Sequence, residues 1–202
     1  MKTITVAKFI EHLYKNGNFQ VFGEYIVKGN IVLPKKTFTR DISLGRGTFK
    51  NDFHCGDATF KKHFSCFYAR FKGGFYCDDA KFDNWFSLGD NIDLSGRFYC
   101  GNAKFNSRFQ FSDVTIGGFN CENAFFKDIY FSGSTIGEFD CGNAVFEKIY
   151  CYENVTFKKF LCQKATFPNF DASRNYALGM VIHHYKTSGV AFSISDFQKI
   201  KP

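Results

Sequence analysis

Six cysteines, Cys55, Cys77, Cys100, Cys121, Cys141 and Cys162, recur at spacings of 22, 23, 21, 20 and 21 residues. Each is preceded two residues earlier by phenylalanine: Phe53, Phe75, Phe98, Phe119, Phe139 and Phe160. Each is followed by alanine three residues later and by phenylalanine five residues later, from Ala58/Phe60 through to Ala165/Phe167. A fixed period of this length is the signature of a stacked repeat, in which one coil cannot bury its apolar face until its neighbours cover it.

Within a period the apolar anchors return every five or six residues, as in Phe49, Cys55, Phe60, Cys66, Phe71 and Cys77. Neither a helical period nor a sustained strand alternation fits. Four short extended sides per coil do fit. Side chains alternate along an extended segment, so the residues flanking one outward position both point inward. Side one reads Phe-x-Cys and side two Ala-x-Phe. Side three pairs Phe64/Cys66, Phe86/Leu88, Phe109/Phe111, Ile129/Phe131 and Ile149/Cys151; side four pairs Ala69/Phe71, Ile92/Leu94, Val114/Ile116, Ser134/Ile136 and Val155/Phe157. Large beside small fills a narrow interior without overpacking it. Gly56, Gly101, Gly117, Gly118 and Gly142 are expected at the corners, where a positive φ costs glycine least.

The Ala-x-Phe steps and the five- and six-residue alternation resemble the pentapeptide-repeat family over roughly residues 22–172. The commonest pattern of that family places Asp or Asn directly before the central Leu or Phe. Here Asp57, Asp79, Asn102, Asn123 and Asn143 precede the alanine instead, and Lys164 does so in the sixth copy. The resemblance implies an all-β solenoid, a right-handed quadrilateral β-helix of about seven coils spanning residues 19–172. Residues 1–18 read as an N-terminal capping helix, with Thr5 as N-cap, Val6, Phe9, Ile10 and Leu13 on one face and Gly17 as C-cap. Residues 173–202 lose the repeat and read as a C-terminal capping segment, either a hairpin or a helix over 176–186.

The eight cysteines are spaced by the coil, not by metal-ligand geometry, and no Cys-x-x-Cys pair occurs. Parallel neighbours about 4.8 Å apart lie outside the Cβ window of a disulfide. They are expected to be free, buried and apolar in behaviour, which suits a reducing compartment. His183 and His184 are adjacent and would face opposite ways in a strand. With no nucleophile elbow, phosphate loop, zincin helix or paired carboxylates, the chain reads as a non-enzyme without metal or cofactor. No apolar run approaches membrane-helix length, and Lys8, Glu11 and His12 interrupt the N-terminus, so a soluble cytoplasmic protein is expected.

Two surfaces stand out. Phe125, Tyr130, Val145 and Tyr150 fall at outward positions on adjacent sides of two successive coils and form a candidate protein-binding patch. Lys35, Lys36, Arg40, Arg46, Lys50, Lys61, Lys62, Arg70 and Lys72 form a candidate basic patch in the N-terminal coils of a chain with net charge +7. The family resemblance implies a rigid rod that binds a partner, in some members a DNA-handling enzyme through imitation of duplex DNA. Imitation requires an acidic surface, which this charge does not supply. The expectation is a rigid inhibitor or modulator of a nucleic-acid-handling enzyme or defence complex, of a kind a phage or mobile element encodes. Direct contact with nucleic acid or another polyanion through the basic coils, and self-assembly as a homodimer, are the alternatives.

Overall fold

The computed structural model describes residues 1–16, 23–89, 92–152 and 155–167. They wind as a parallel β-solenoid of about seven coils, and every strand pairing among the described residues is parallel. Side one stacks Ile31, Phe53, Phe75, Phe98, Phe119, Phe139 and Phe160 in register. Side two stacks Phe38, Phe60, Phe82, Phe105, Phe126 and Phe146. Sides four and one belong to one sheet, sides two and three to a second.

The coil changes character along the rod. Early sides are short strands such as Phe53–His54, Thr59–Phe60, Phe64–Ser65 and Arg70–Phe71, separated by bends. Later strands, Phe125–Ser132 and Val145–Tyr152, run through a corner without a break. The spacing of anchors explains this. Phe60 and Phe64, or Phe82 and Phe86, are four residues apart across that corner, whereas Phe126 and Ile129, or Phe146 and Ile149, are three apart. The extra residue bulges out as a bend in the early coils and is absorbed as a bulge within the longer strands Asp93–Tyr99 and Lys104–Ser112; without it the backbone stays extended. Register shifts mark the changeover, between Phe105 and Arg108 on one sheet and between Leu94 and Arg97 on the other.

The corner glycines are not where the backbone turns left-handed. Positive φ falls one residue later, at Asp57, Asp79, Asn102, Asn123, Asn143 and Lys164, between 56° and 60°. The alanine N–H closes each turn onto the cysteine carbonyl, at 3.0 Å for Ala144 to Cys141, in the pattern of a type II turn. Asp and Asn tolerate that left-handed position best among residues with a side chain. Gly56 answers to crowding instead, since a Cβ there would stand 2.9 Å from the Asp78 carbonyl oxygen of the next coil.

Aromatic columns fill the interior. Rings of Phe60, Phe82, Phe105, Phe126, Phe146 and Phe167 follow one another at 4.8–5.1 Å, within 10° of parallel. All eight cysteines are free and buried. Burial pushes the thiols of Cys55, Cys66, Cys77 and Cys100 well above their usual range and that of Cys162 up to about 12.

The N-terminus departs from a simple helical cap. The helix Val6–Asn16 begins after Thr5, whose Oγ1 accepts a hydrogen bond from the Lys8 N–H at 3.3 Å. Phe9 and Leu13 are buried, and the Phe9 ring lies 5.5 Å from Phe49, closing the end of the first coil. The unforeseen element is the strand Lys2–Thr5, parallel to Tyr25–Lys28. Alternation around buried Ile4 makes it a further rung on an otherwise unpaired edge. Gly17, His183, His184 and the segment 173–202 lie outside the described residues. No helix among the described residues is long and apolar enough to cross a membrane.

Candidate protein-binding face

The uninterrupted strands Phe125–Ser132 and Val145–Tyr152 carry the outward aromatic group on one continuous sheet surface. Inward Phe126, Ile129 and Phe131 anchor the first strand, and Phe146, Ile149 and Cys151 the second. The alternate residues therefore face out. Phe125 is in register with Val145 and Tyr130 with Tyr150, which makes two neighbouring pairs on successive strands, five residues apart along the chain. The two tyrosine rings stack at 4.5 Å and 14°. Val145 is 37% and Tyr152 38% exposed, while Phe125, Tyr130 and Tyr150 are half-buried.

The structure extends the patch beyond those four residues. The Arg108 guanidinium sits 4.3 Å from the Tyr130 ring centre and 5.5 Å from that of Trp85. It lies between two aromatic rings from different coils, the arrangement that favours arginine over lysine. His63 meets Trp85 edge-on at 5.8 Å, and Tyr152 continues the stack beyond Tyr150 at 6.2 Å. Partial burial and the neighbouring Tyr150 push the Tyr130 phenol above its usual range, so it remains a neutral donor. Trp85, Arg108 and Tyr152 were not singled out because they lie outside the central outward column, at the corners. The signal was there: Trp85 is the one tryptophan of the chain and precedes an inward phenylalanine, as Arg108 does.

A second outward ladder runs along side one, where His54 stacks on Tyr76 at 4.4 Å and Tyr76 on Tyr99 at 4.9 Å. Asn120, Asp140 and Leu161 continue the column without aromatic rings until its end.

The nine basic residues are all exposed but do not make one surface. Lys35 and Lys36 stand at the corner before side two, where Lys35 pairs with Asp57 at 2.7 Å and Lys36 lies 5.1 Å from the Tyr14 ring. Arg40, Lys61 and Lys62 occupy the following corner. Arg40 donates to the Lys15 carbonyl, and Lys61 pairs with Asp83 at 2.5 Å. Arg46 and Arg70 flank a small groove with Glu24 and Tyr68 on side four. Lys50 and Lys72 lie at the corner before side one, where Lys72 pairs with Asp93. The cations thus girdle the rod. No family model, no curated protein and no solved structure matches the chain.

Proposed function

We propose that the protein is a non-enzymatic, rigid binding rod that engages a protein partner through the outer face carrying Phe125, Tyr130, Val145 and Tyr150. The observation that carries this reading is the stacked aromatic group itself. A solenoid does not need it: the same outward columns hold Thr59, Lys81, Ser65 and Ser87 in earlier coils. Large aromatics around a pre-positioned arginine are the residue types that anchor protein interfaces. A continuous Phe column behind the face keeps it rigid, so little conformational entropy is lost on docking. With the resemblance to pentapeptide-repeat proteins, this supports an inhibitor or modulator of a nucleic-acid-handling enzyme or defence complex. Polyanion binding through the basic residues draws less support, because they are spread around the rod and Lys35, Lys61 and Lys72 already have carboxylate partners.

The test is affinity purification with the wild type and with Phe125→Asp/Tyr150→Asp, quantified by mass spectrometry and repeated with the purified captured protein. A partner bound saturably by the wild type and lost with the double variant is expected. Equal recovery with a folded double variant would remove this face as the interface. Self-association would appear instead as a mass change of the protein alone in light scattering.

A further inference from the structure

Donors without acceptors collect on the aromatic face. Arg108 has Asp128 in register on the next rung, yet the two form no ion pair. Asp128 pairs with Lys148 at 3.7 Å, and the Arg108 guanidinium lies against the Tyr130 and Trp85 rings instead. Rings cover the faces of a planar guanidinium and leave free the edge that carries its N–H fork. Among the described residues no acceptor meets that fork. Lys104 and Lys127 are exposed on the same strands and have no carboxylate partner among the described residues. The phenol groups of Tyr130, Tyr150 and Tyr152 make no hydrogen bond among the described residues, and the covered indole N–H of Trp85 makes none either. Against these donors stands the half-buried carboxylate of Glu147.

The geometry separates the ligands that such donors attract. Single-stranded nucleic acid needs open ring faces on which its bases stack. Here one face of Tyr130 is taken by Arg108 and the other by Tyr150, whose ring is followed by that of Tyr152 at 6.2 Å. A phosphate group, with nearly two charges at neutral pH, is matched by clustered arginines. Arg108 is the one arginine of the strands Lys104–Ser112, Phe125–Ser132 and Val145–Tyr152, and Asp128 on the adjoining rung opposes a dianion. A carboxylate carries a single charge and fits the fork with both oxygens.

We infer that the partner presents an acidic peptide segment to this face, with one carboxylate on the Arg108 fork and apolar side chains nearby in the segment against Phe125 and Val145. This chemistry rests on the protein-binding reading of the face and specifies its partner. A bidentate carboxylate meets the fork edge-on without disturbing the rings that hold it. Lys104, in register with Phe125, offers a second cation to an acidic segment. Stacking has already cost Arg108 much of its rotamer freedom, so less is lost when the pair forms.

The experiment selects phage-displayed random dodecapeptides on the purified protein and measures the best binder, as a synthetic peptide, by fluorescence anisotropy. Enrichment of Asp or Glu beside aromatic or aliphatic residues is expected. Arg108→Gln should weaken binding by at least about tenfold, and Arg108→Lys nearly as much, because lysine keeps the charge without the fork. Replacing the peptide's carboxylates by amides should cost the wild type a similar factor and Arg108→Gln little more. Phe125→Asp/Tyr150→Asp should abolish binding. Should Arg108→Gln not fold, the amide peptide carries the test on the wild type alone. Selected peptides without acidic residues, or full affinity in folded Arg108→Gln, overturn the inference, while loss with the double variant would still keep the face as an interface. Peptides indifferent to the double variant remove the face itself. No enrichment, or tighter binding of an oligothymidylate or a phosphotyrosine peptide at this face, overturns the inference as well.

Discussion

Phe126 has no exposed surface and is clamped between Phe105 at 4.8 Å and Phe146 at 5.1 Å, both nearly parallel to it. Rigid rungs above and below cannot collapse into the space it would leave. Phe126→Ala is therefore expected to cost about 3–5 kcal/mol, read as a fall in denaturation midpoint at constant slope. Charge acts at the same scale on the surface. Lys61, with Asn106 and Lys81, holds the Asp83 carboxyl down to about 2, against an ordinary 3.8. A depressed folded-state value stabilises the protein above the unfolded value, and the contribution is lost as pH falls through the folded one. Melting temperature should accordingly decline between about pH 4 and pH 2, less steeply in Asp83→Asn. Gly118 shows a different economy. Its missing side chain lets Arg97 lie across it and reach Glu138 two coils on at 3.2 Å, where Lys159 joins at 2.8 Å.

At the scale of the element, the side-one turn is the unit that makes the coil. Cysteine ends the inward pair, an Asp or Asn adopts the left-handed position, and alanine closes the hydrogen bond. Cys55, Cys77, Cys100, Cys121 and Cys141 are fully buried in this column. A thiol without access to solvent is a poor nucleophile, and burial also holds Cys55, Cys77, Cys100 and Cys141 protonated. At Cys121 the raising effect of burial is outweighed by hydrogen bonds from Cys100 and Cys141 that draw the thiol down, so its protection rests on lack of solvent access alone. Alkylation without reductant should leave the folded protein unmodified and label eight cysteines after unfolding, as measured by intact mass. Labelling of Cys100 in the native state, or a missing thiol after unfolding, would contradict the packing. The helix Val6–Asn16 illustrates the converse case, an element that is stable only because Phe9 and Leu13 find the end of the solenoid.

Over the whole molecule, two sheets share one interior and face different solvent. One presents the rings from Trp85 to Tyr152 around Arg108, the other a hydroxyl-lined groove and a shorter tyrosine ladder. Because the core is a stack of identical contacts, surface residues can vary from coil to coil without altering the frame. For that reason Phe125→Asp/Tyr150→Asp should shift the melting temperature little, and circular dichroism should remain that of the wild type. A large loss of stability would mean that the ring stack holds the coils together.

The coil period, the inward columns, the N-cap at Thr5 and the in-register patch were all legible in the residues. Each rests on alternation and spacing, which are local properties of an extended chain. Other features required the folded chain. The same four-residue anchor spacing gives a bend after Phe60 but a bulge inside a continuous strand after Phe105, a difference visible only once the rungs are stacked. The strand Lys2–Thr5 has a partner 23 residues away in Tyr25–Lys28, beyond any local signal. Arg108 reaches rings contributed by other coils, and the nine cations are spread over four corners and the outer face of side four, placements that only the wound coil sets. Gly117 looked like any corner glycine. Only the open space above it, set against the crowding at Gly96 and Gly137, separates the glycines that packing demands from one that it does not.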